Sequence, residues 1–313
     1  MNAPNRKRVE ASGIQLVYSP ILRTITVLDE NNEIFTGKFS QSMISSPLRL
    51  VLQITGNCNM RCEYCSQGSI KTQLYMPKEK IFDIIDEAER MKVFEVCVRG
   101  GEALLHPDFD EIWEHLCKKS FITPILITNG LTLTKEKADN MLQNSIAKIV
   151  VSLDGFEKLN STHRDPRQYK MVMDWLPELI KKHPDQIIVA SCIYKDDIDQ
   201  IIPFAQHMAS IGLRFYHSSP LRRLGNSESA DEKFVSLDEL NTLQKELDEI
   251  TTKYSSFHPQ IVCLGLEKYK INKTNNIPVP LFTEMYFGSS FNVIDQGYVV
   301  ANRGAMFSEK FLK

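Results

Sequence analysis

Three cysteines stand close together shortly after an apolar run near the start of the chain. Cys58, Cys62 and Cys65 form a C-x3-C-x2-C triplet that directly follows the apolar residues 48–54. A zinc site usually has four protein ligands in paired spacings, whereas three thiolates this close suit a cubane iron–sulfur cluster, because each sulfur reaches a different iron. The fourth iron is then open, which favours catalysis over simple electron transfer. A labile zinc ion or a purely structural cluster is the alternative.

Small and acidic residues lie at the ends of two later apolar runs. Gly100 and Gly101 follow the second apolar run of the chain, at 93–99. Glycine lets a backbone approach a ligand closely. The carboxylate of Glu102 beside them can accept hydrogen bonds from an ammonium group. Asn129 lies in a Thr-Asn-Gly turn at the end of the third run. Taken alone, each segment is also compatible with an ordinary turn at a strand end.

The next apolar run ends in residues that suit the binding of a carboxylate. Ser152 and Asp154 point to the same side of a strand because side chains alternate along it. Arg164 follows shortly afterwards, and a guanidinium can bind a carboxylate through two parallel hydrogen bonds. Arg167 is close enough in sequence to serve instead. His217, in the last run, is a candidate acid or base, although a lone histidine there is more often structural.

Strand-like and helical segments alternate from residue 48 onward and would position these residues. Apolar runs typical of strands lie at 48–54, 93–99, 122–128, 147–153, 186–193 and 212–216. Segments with apolar residues at helical spacing lie between them, at 77–91, 109–119, 134–144, 171–182 and 198–211. This alternation predicts a parallel sheet with helical crossovers. Six units are fewer than a closed eight-unit barrel needs, so the sequence predicts an α/β fold with a partial (β/α)6 barrel.

At the cysteine triplet and the Gly-Gly-Glu segment, the sequence resembles the radical S-adenosylmethionine (SAM) superfamily. The resemblance covers about residues 48–225 and implies the same partial barrel. It implies a 4Fe–4S cluster on Cys58, Cys62 and Cys65, with the methionine end of SAM on the open iron. The cofactor-binding residues implied by the resemblance or predicted beside it are Tyr64, Gly100, Gly101, Glu102, Asn129, Ser152, Asp154 and Arg164, and no catalytic side chain is predicted.

The resemblance also implies what most of these residues contact. Glu102 would hold the amino group of SAM, and Asn129 would shape the site. Ser152 and Arg164 would contact the carboxylate or the ribose of SAM. Tyr64, between the second and third cysteines, would pack near the adenine.

Three regions are expected along the chain. They are an N-terminal tail and β-hairpin at 1–47, the partial barrel at 48–225 and a C-terminal extension at 226–313. Residues 1–13 are expected to be disordered. Extended segments separated by turn residues then predict a small hairpin within residues 14–38.

The C-terminal extension combines a helix at 237–254 with a hairpin at 291–300. This α+β pattern resembles the SPASM and twitch branch of the superfamily, in which cysteines around a similar hairpin hold auxiliary clusters. Here Cys263 is the single cysteine of the extension, and one thiolate cannot hold a cubane. We therefore interpret the extension as a cluster-free or truncated form, and we expect no auxiliary cluster.

Composition excludes several other classes of protein. The formal net charge of −2 provides no basic field for nucleic acid. No segment approaches the length of a membrane span, and the first ten residues lack the apolar region of a secretory signal. We therefore expect a cytoplasmic protein with reduced thiols. Cys97, Cys117 and Cys192 are interpreted as small buried hydrophobic residues.

The resemblance implies reductive cleavage of SAM to a 5′-deoxyadenosyl radical that abstracts hydrogen from a substrate. We expect a ribosomal peptide or a protein side chain as substrate, and reduced flavodoxin or ferredoxin as electron donor. A small-molecule enzyme, such as a sugar or nucleotide dehydratase, cyclase or dehydrogenase, is the alternative. A SAM-binding iron–sulfur sensor or scaffold without turnover is the non-enzyme alternative.

Overall fold

The computed structural model describes residues 4–33, 45–65, 75–221, 225–227, 231–261, 276–278, 290–293, 299–301 and 305–307. The first three strands, β1 (Arg6–Val9), β2 (Gln15–Ser19) and β3 (Thr24–Leu28), form an antiparallel sheet in chain order. The hairpin of β2 and β3 confirms the prediction. Strand β1, however, lies within residues that were expected to be disordered, and that expectation is wrong.

Strand β1 is ordered because its basic side chains contact residues that are distant in the sequence. Arg8 donates to Glu10 at 2.6 Å, and its guanidinium lies over the ring of Phe94, 5.1 Å from the centroid. Arg6 donates to the hydroxyl of Thr123 at 2.9 Å. A basic, polar segment has the composition of a disordered tail. Contacts across the fold override that composition here.

Six parallel strands form the centre of a second, larger sheet. They are β4 (Arg49–Gln53), β5 (Glu95–Arg99), β6 (Thr123–Thr128), β7 (Lys148–Ser152), β8 (Ile187–Ile193) and β9 (Phe215–Pro220), paired in chain order. The helices between them are α1 (Lys78–Arg90), α2 (Phe109–Cys117), α3 (Lys135–Met141), α4 (Glu157–His163), α5 (Gln168–Lys182) and α6 (Ile201–Ser210). This alternation confirms the predicted α/β fold with a parallel sheet.

Two of these elements differ from the prediction. Strand β9 was predicted at 212–216 but occupies Phe215–Pro220. Its last four residues, His217 to Pro220, lack the large apolar side chains of a buried parallel strand, so the sequence does not mark them as strand. Helix α4 was not predicted, because its seven residues are too few and too polar for a periodic apolar pattern.

The larger sheet continues beyond the six predicted strands. After helix α7 (Leu237–Lys253), strand β10 (His258–Ile261) pairs in parallel with β9. Strand β11 (Asn276–Pro278) joins the N-terminal sheet beside β3. Strand β12 (Ser290–Val293) pairs in parallel with β4 and is followed by antiparallel β13 (Val299–Ala301) and β14 (Ala305–Phe307). Within the described ranges, eight strands therefore run in parallel, two more than predicted.

Strands β12 and β13 pair as the hairpin predicted within 291–300, with Phe291 opposite Ala301. Several other predictions lie outside the described residues. They are the extended segment after residue 33, the turn of this hairpin at 294–298, and Cys263.

The parallel strands are buried on both faces. Their outward side chains, such as Leu52, Val98 and Val189, are fully buried in the core that the helices cover. Their inward side chains include Cys97 and Ile125, which belong to a separate apolar layer inside the barrel. Helices on the outside and a packed layer within are typical of parallel α/β barrels. The carboxyl ends of the strands are then the expected place for a binding site.

The opposite end of the barrel is closed by ion pairs with the N-terminal sheet. Arg23, in the turn between β2 and β3, donates to both oxygens of Glu95 at 2.8 and 2.9 Å. Tyr18 donates to the same carboxylate at 3.0 Å. Burial favours a neutral Glu95, but the facing Arg23 and Arg49 outweigh it, and the pKa of Glu95 is lowered. Burial also lowers the pKa of nearby Lys148, to about 7.

Arg23 holds this position with a left-handed backbone, at a φ of 55°. That conformation costs roughly 1–2 kcal/mol for a residue other than glycine. In this conformation its side chain forms the buried ion pair with Glu95. In the described part of the chain, no helix has the length and apolar composition of a membrane span.

We predict that Arg23→Met lowers the free energy of unfolding by about 3–5 kcal/mol, because buried Glu95 loses its bidentate partner and is left facing Arg49 at 3.7 Å. Arg90→Met is the matched control, since Arg90 pairs with Glu87 on the surface. We expect that variant to stay within about 0.5 kcal/mol of the wild type. Urea unfolding of both variants measures the difference. Equal stability of the two would contradict the importance of this ion pair.

Candidate cluster and cofactor site

The cysteine triplet lies on a loop that leaves β4 at the carboxyl edge of the sheet. The segment after β5 holds this loop: the amide of Gly101 donates to the carbonyl of Thr55 at 2.8 Å, and that of Glu102 donates to Asn57 at 2.7 Å. A Cβ atom on Gly100 would lie 2.7 Å from the Thr55 carbonyl oxygen, and one on Gly101 would lie 2.8 Å from Cβ of Cys58. The two glycines are therefore needed for close packing against the cysteine loop itself.

The three thiols of the triplet are half-buried and belong to one short segment. The amide of Cys65 donates to the carbonyl of Cys62 at 3.3 Å, which closes the turn between them. Burial raises the pKa of the Cys62 thiol to about 11, against the opposing effect of Arg164. A bound metal deprotonates such a thiol.

The kind and number of donors in the triplet bear on which metal group it can hold. Among the described residues, no three His, Cys, Asp or Glu side chains converge on one ion position. A cubane does not require such convergence, because each thiolate binds a different iron. Three thiols on one loop therefore fit a 4Fe–4S cluster better than zinc.

Asp154, after β7, connects Tyr64 and Arg164 beside the triplet. The carboxylate is buried and accepts from Arg164 at 2.7 and 3.2 Å and from the Tyr64 hydroxyl at 2.7 Å. It also accepts from the amide of Cys192 at 3.0 Å. The Arg164 guanidinium lies over the Tyr64 ring, and its Nη1 is 4.0 Å from Sγ of Cys62. The structure thus brings together three residues that were predicted separately.

Arg164 and Arg167 differ in burial and in their partners. Arg164 is almost completely buried against Asp154, whereas the side chain of Arg167 is 71% exposed and pairs with Asp165. Arg164 is therefore the arginine that lies beside Cys62 of the triplet. Its guanidinium already donates to the Asp154 carboxylate through Nε and Nη2.

Glu102 connects the ends of β5 and β6. Its carboxylate accepts from the amide of Leu104 at 3.2 Å, the hydroxyl of Thr128 at 2.9 Å and the amide of Asn129 at 2.8 Å. Burial raises the pKa of Glu102, while these hydrogen bonds oppose the rise. Asn129 in turn donates to the side chain of Asn59 in the cysteine loop at 2.8 Å. Both residues therefore brace the loop.

Two bracing residues were missed by sequence reasoning. Gln168 is fully buried and donates to the carbonyls of Asn129 at 2.5 Å and Ser152 at 2.6 Å. Asn160 donates to Gln168 and accepts from the amide of Asp154, both at 3.0 Å. Neither residue belongs to a spacing pattern, and polar residues in helices are usually exposed. The sequence carries no local signal for them.

A cavity of about 260 Å³ opens beside Tyr64. Its lining residues are Glu63, Tyr64, Tyr194, Leu221, Asn226, Ser227, Glu232 and Lys233. The Tyr194 ring packs edge-on against Tyr64, at 5.5 Å between centroids, and stacks on His163 at 3.8 Å. The Tyr194 hydroxyl is buried and has no hydrogen-bond partner among the described residues. A buried donor of this kind is expected to bond a ligand or water.

His217 lies on β9 beside Gln260 of β10 in the sheet register. Burial lowers the pKa of His217 well below its ordinary value, and the positive charges of Arg23 and Arg49 lower it further. The imidazole is therefore neutral at pH 7. It can donate one hydrogen bond and accept another, but it is a weak base.

Comparisons with known proteins show which family this part of the chain resembles. The model of the radical SAM superfamily matches residues 52–205. Mycofactocin maturase MftC of Mycolicibacterium smegmatis is 28% identical over 171 residues, which cover 54% of this chain and 43% of that protein. GTP 3′,8-cyclase of Staphylococcus aureus is 26% identical over 263 residues, covering 77% and 73%. The chain thus spans less than half the length of the MftC relative.

Solved structures share the fold. Streptococcus suis SuiB bound to S-adenosylmethionine superposes with a TM-score of 0.72 over 99% of this chain and 85% of that chain, at 16% identity. SuiB bound to its precursor peptide SuiA superposes with a TM-score of 0.68 over 95% and 81%, at 15% identity. Residues 52–205 therefore belong to the radical SAM superfamily, whose enzymes use a 4Fe–4S cluster and SAM.

We predict that Cys58→Ala, Cys62→Ala and Cys65→Ala each abolish the visible absorbance of the anaerobically reconstituted cluster, because three ligands leave no spare. Cys117→Ala, which removes a thiol at the end of α2, is the matched control and should retain about four irons per chain. Iron quantification and absorbance measure both. A fully loaded triplet variant would show that these cysteines are not the ligands.

Proposed function

We propose that the chain is an enzyme that cleaves SAM reductively at the cysteine triplet and directs the resulting radical to a substrate. The observation that carries this proposal is the juxtaposition of three half-buried thiols with Tyr64, Asp154 and Arg164, beside a cavity at the carboxyl edge of the barrel. When bound, the cluster supplies the electron that cleaves SAM to methionine and a 5′-deoxyadenosyl radical. The residues around it bind SAM and exclude water.

The cavity beside Tyr64 is the proposed site for the adenine of SAM. Tyr64 and Tyr194 supply aromatic surface, and the buried Tyr194 hydroxyl offers a hydrogen bond to a ring nitrogen. Leu221, directly after β9, supplies an apolar contact and nearby backbone groups. The Tyr64 hydroxyl donates to Asp154 at 2.7 Å, so the ring is held in place before SAM binds. A fixed ring reduces the entropy cost of binding.

Glu102 and Ser152 are the proposed contacts for the amino acid end of SAM. An ionised carboxylate has about four acceptor positions, and three donors approach Glu102. The remaining position can accept from the SAM ammonium. Ser152 is half-buried at the end of β7, where its hydroxyl can reach the SAM carboxylate or ribose. Arg164 then acts near Cys62, through its positive charge, and not as a direct carboxylate clamp.

A ribosomal peptide or protein side chain is the proposed substrate. MftC is a maturase and SuiB was crystallised with a precursor peptide, and both resemblances support this class. The N-terminal sheet blocks the other end of the barrel with buried ion pairs, so a peptide would enter at the carboxyl edge. Neutral His217 and Gln260 offer hydrogen bonds for positioning it.

A small-molecule substrate is the second candidate. The GTP 3′,8-cyclase aligns over a larger part of this chain than MftC, 77% against 54%. That coverage supports a nucleotide or another small polar substrate at the same site. For either substrate, we propose reduced flavodoxin or ferredoxin as the electron donor and the cytoplasm as the location.

We predict that Glu102→Gln and Ser152→Ala weaken SAM binding about ten- to hundredfold, because a hydrogen bond to a charged group is lost in a shielded site. Titration of the cluster-loaded protein with SAM measures the affinity. Glu89→Gln is the matched control, since Glu89 also accepts backbone donors but lies on α1. Iron content should remain unchanged in all three variants. Unchanged SAM affinity in both site variants would place SAM elsewhere.

We predict that the reduced enzyme converts SAM to 5′-deoxyadenosine and modifies a peptide encoded beside its gene. With a deuterated peptide, mass spectrometry should find deuterium in the 5′-deoxyadenosine, because the radical takes hydrogen from the substrate. Parallel incubations with GTP and with nucleotide sugars test the second candidate. Stoichiometric SAM consumption with one of these, and none with the peptides, would contradict the peptide assignment. No 5′-deoxyadenosine under any condition would contradict SAM cleavage itself.

A further inference from the structure

Two short turns that follow β9 contact the cysteine loop from outside. These turns are Gly225–Ser227 and Asp231–Lys233. In the first turn, the backbone amide of Asn226 donates to the carbonyl of Cys65 at 3.1 Å. The side-chain amide of the same residue donates to the carbonyl of Cys62, also at 3.1 Å. One residue thus bonds to two of the three cluster cysteines.

The hydrogen bonds from Asn226 are important because their acceptors are the backbone carbonyls of two residues of the triplet, Cys62 and Cys65. The amide of Cys65 donates to the carbonyl of Cys62, so the two residues form the ends of a single turn. Asn226 donates to both ends of that turn. Because the backbone direction at each cysteine determines where its Sγ points, Asn226 restrains the separation of two thiolates.

Lys233, in the second turn, contacts the same part of the loop. Its ammonium pairs with the carboxylate of Glu63, which lies between Cys62 and Cys65. The other Glu63 oxygen lies 2.8 Å from Nδ1 of His163, and the amide of Glu63 donates to the His163 carbonyl at 3.1 Å. Glu63 is therefore held from two sides.

We propose that Asn226 is a positioning residue for the cluster, and that Lys233 reinforces it through Glu63. Both lie outside the matched residues 52–205, so the segment after the core domain contributes to the geometry of the cluster loop. The proposal rests on the assignment of the cluster to the triplet. The spacing of the cysteines alone does not indicate that a later segment of the chain holds their loop.

The test compares three asparagine variants of the cluster-loaded protein. Asn226→Ala removes the side-chain donor, and Asn226→Asp keeps the shape but places an oxygen against the Cys62 carbonyl. Asn241→Ala is the matched control, since Asn241 is exposed on α7. The measurements are the rate of iron transfer to a chelator, the midpoint potential of the cluster and the urea midpoint of unfolding.

We expect Asn226→Ala to lose iron about three- to tenfold faster than the wild type, as expected from one lost hydrogen bond. Asn226→Asp should lose iron at least as fast, because two acceptors then face each other. Both should shift the midpoint potential while the urea midpoint stays unchanged. Lys233→Met should also accelerate iron loss, and Lys233→Arg should restore the wild-type rate.

The possible failures can be told apart. If Asn226→Asp behaves as the wild type, or if both Asn226 variants match Asn241→Ala, the positioning role is overturned while the cluster assignment stands. If the wild-type protein takes up no iron, the cluster assignment and the positioning role are overturned together. A lowered urea midpoint with an unchanged potential would assign Asn226 a general role in stability and overturn its proposed role at the cluster.

Discussion

The site depends on how the cysteine loop is fixed, because the triplet itself has no regular secondary structure. Backbone hydrogen bonds from Gly101 to Thr55 and from Glu102 to Asn57 attach the loop to the end of β5. This approach is so close that a Cβ atom on either glycine would collide with the loop. The cysteine loop can therefore lie at this edge of the sheet only because the two residues that follow β5 are glycines.

Charge is distributed differently at the two ends of the barrel. At the amino end, Arg23 and Glu95 form a buried bidentate pair that serves the packing of the N-terminal sheet. At the carboxyl end, the pair of Arg164 and Asp154 lies next to Cys62 and Tyr64. The first pair attaches the N-terminal sheet to the amino end of the barrel. The second pair places a guanidinium near the thiol of Cys62.

The order of strands and helices and the cysteine triplet could be predicted from the sequence, because both depend on local spacing. Apolar periodicity identifies β4 to β8, and the triplet is complete within eight residues. The partners of the site residues could not be predicted. Gln168 and Asn160 contact strand ends through the fold, and no periodic pattern marks them. Strand β1 and the last four residues of β9 were missed because their composition is not that of a buried strand. Strand β1 is ordered by contacts distant in sequence, such as that of Arg6 with Thr123.

The central claim is that the triplet leaves one iron of a 4Fe–4S cluster open and that SAM binds there. Mössbauer spectroscopy of iron-labelled, reconstituted protein tests it most directly, because the spectrum distinguishes the iron atoms by their ligands. We predict that adding SAM changes the signal of one iron of the four and leaves the other three unchanged. An identical spectrum at saturating SAM would contradict the claim, and so would a cluster in which all four irons already have equivalent protein ligands.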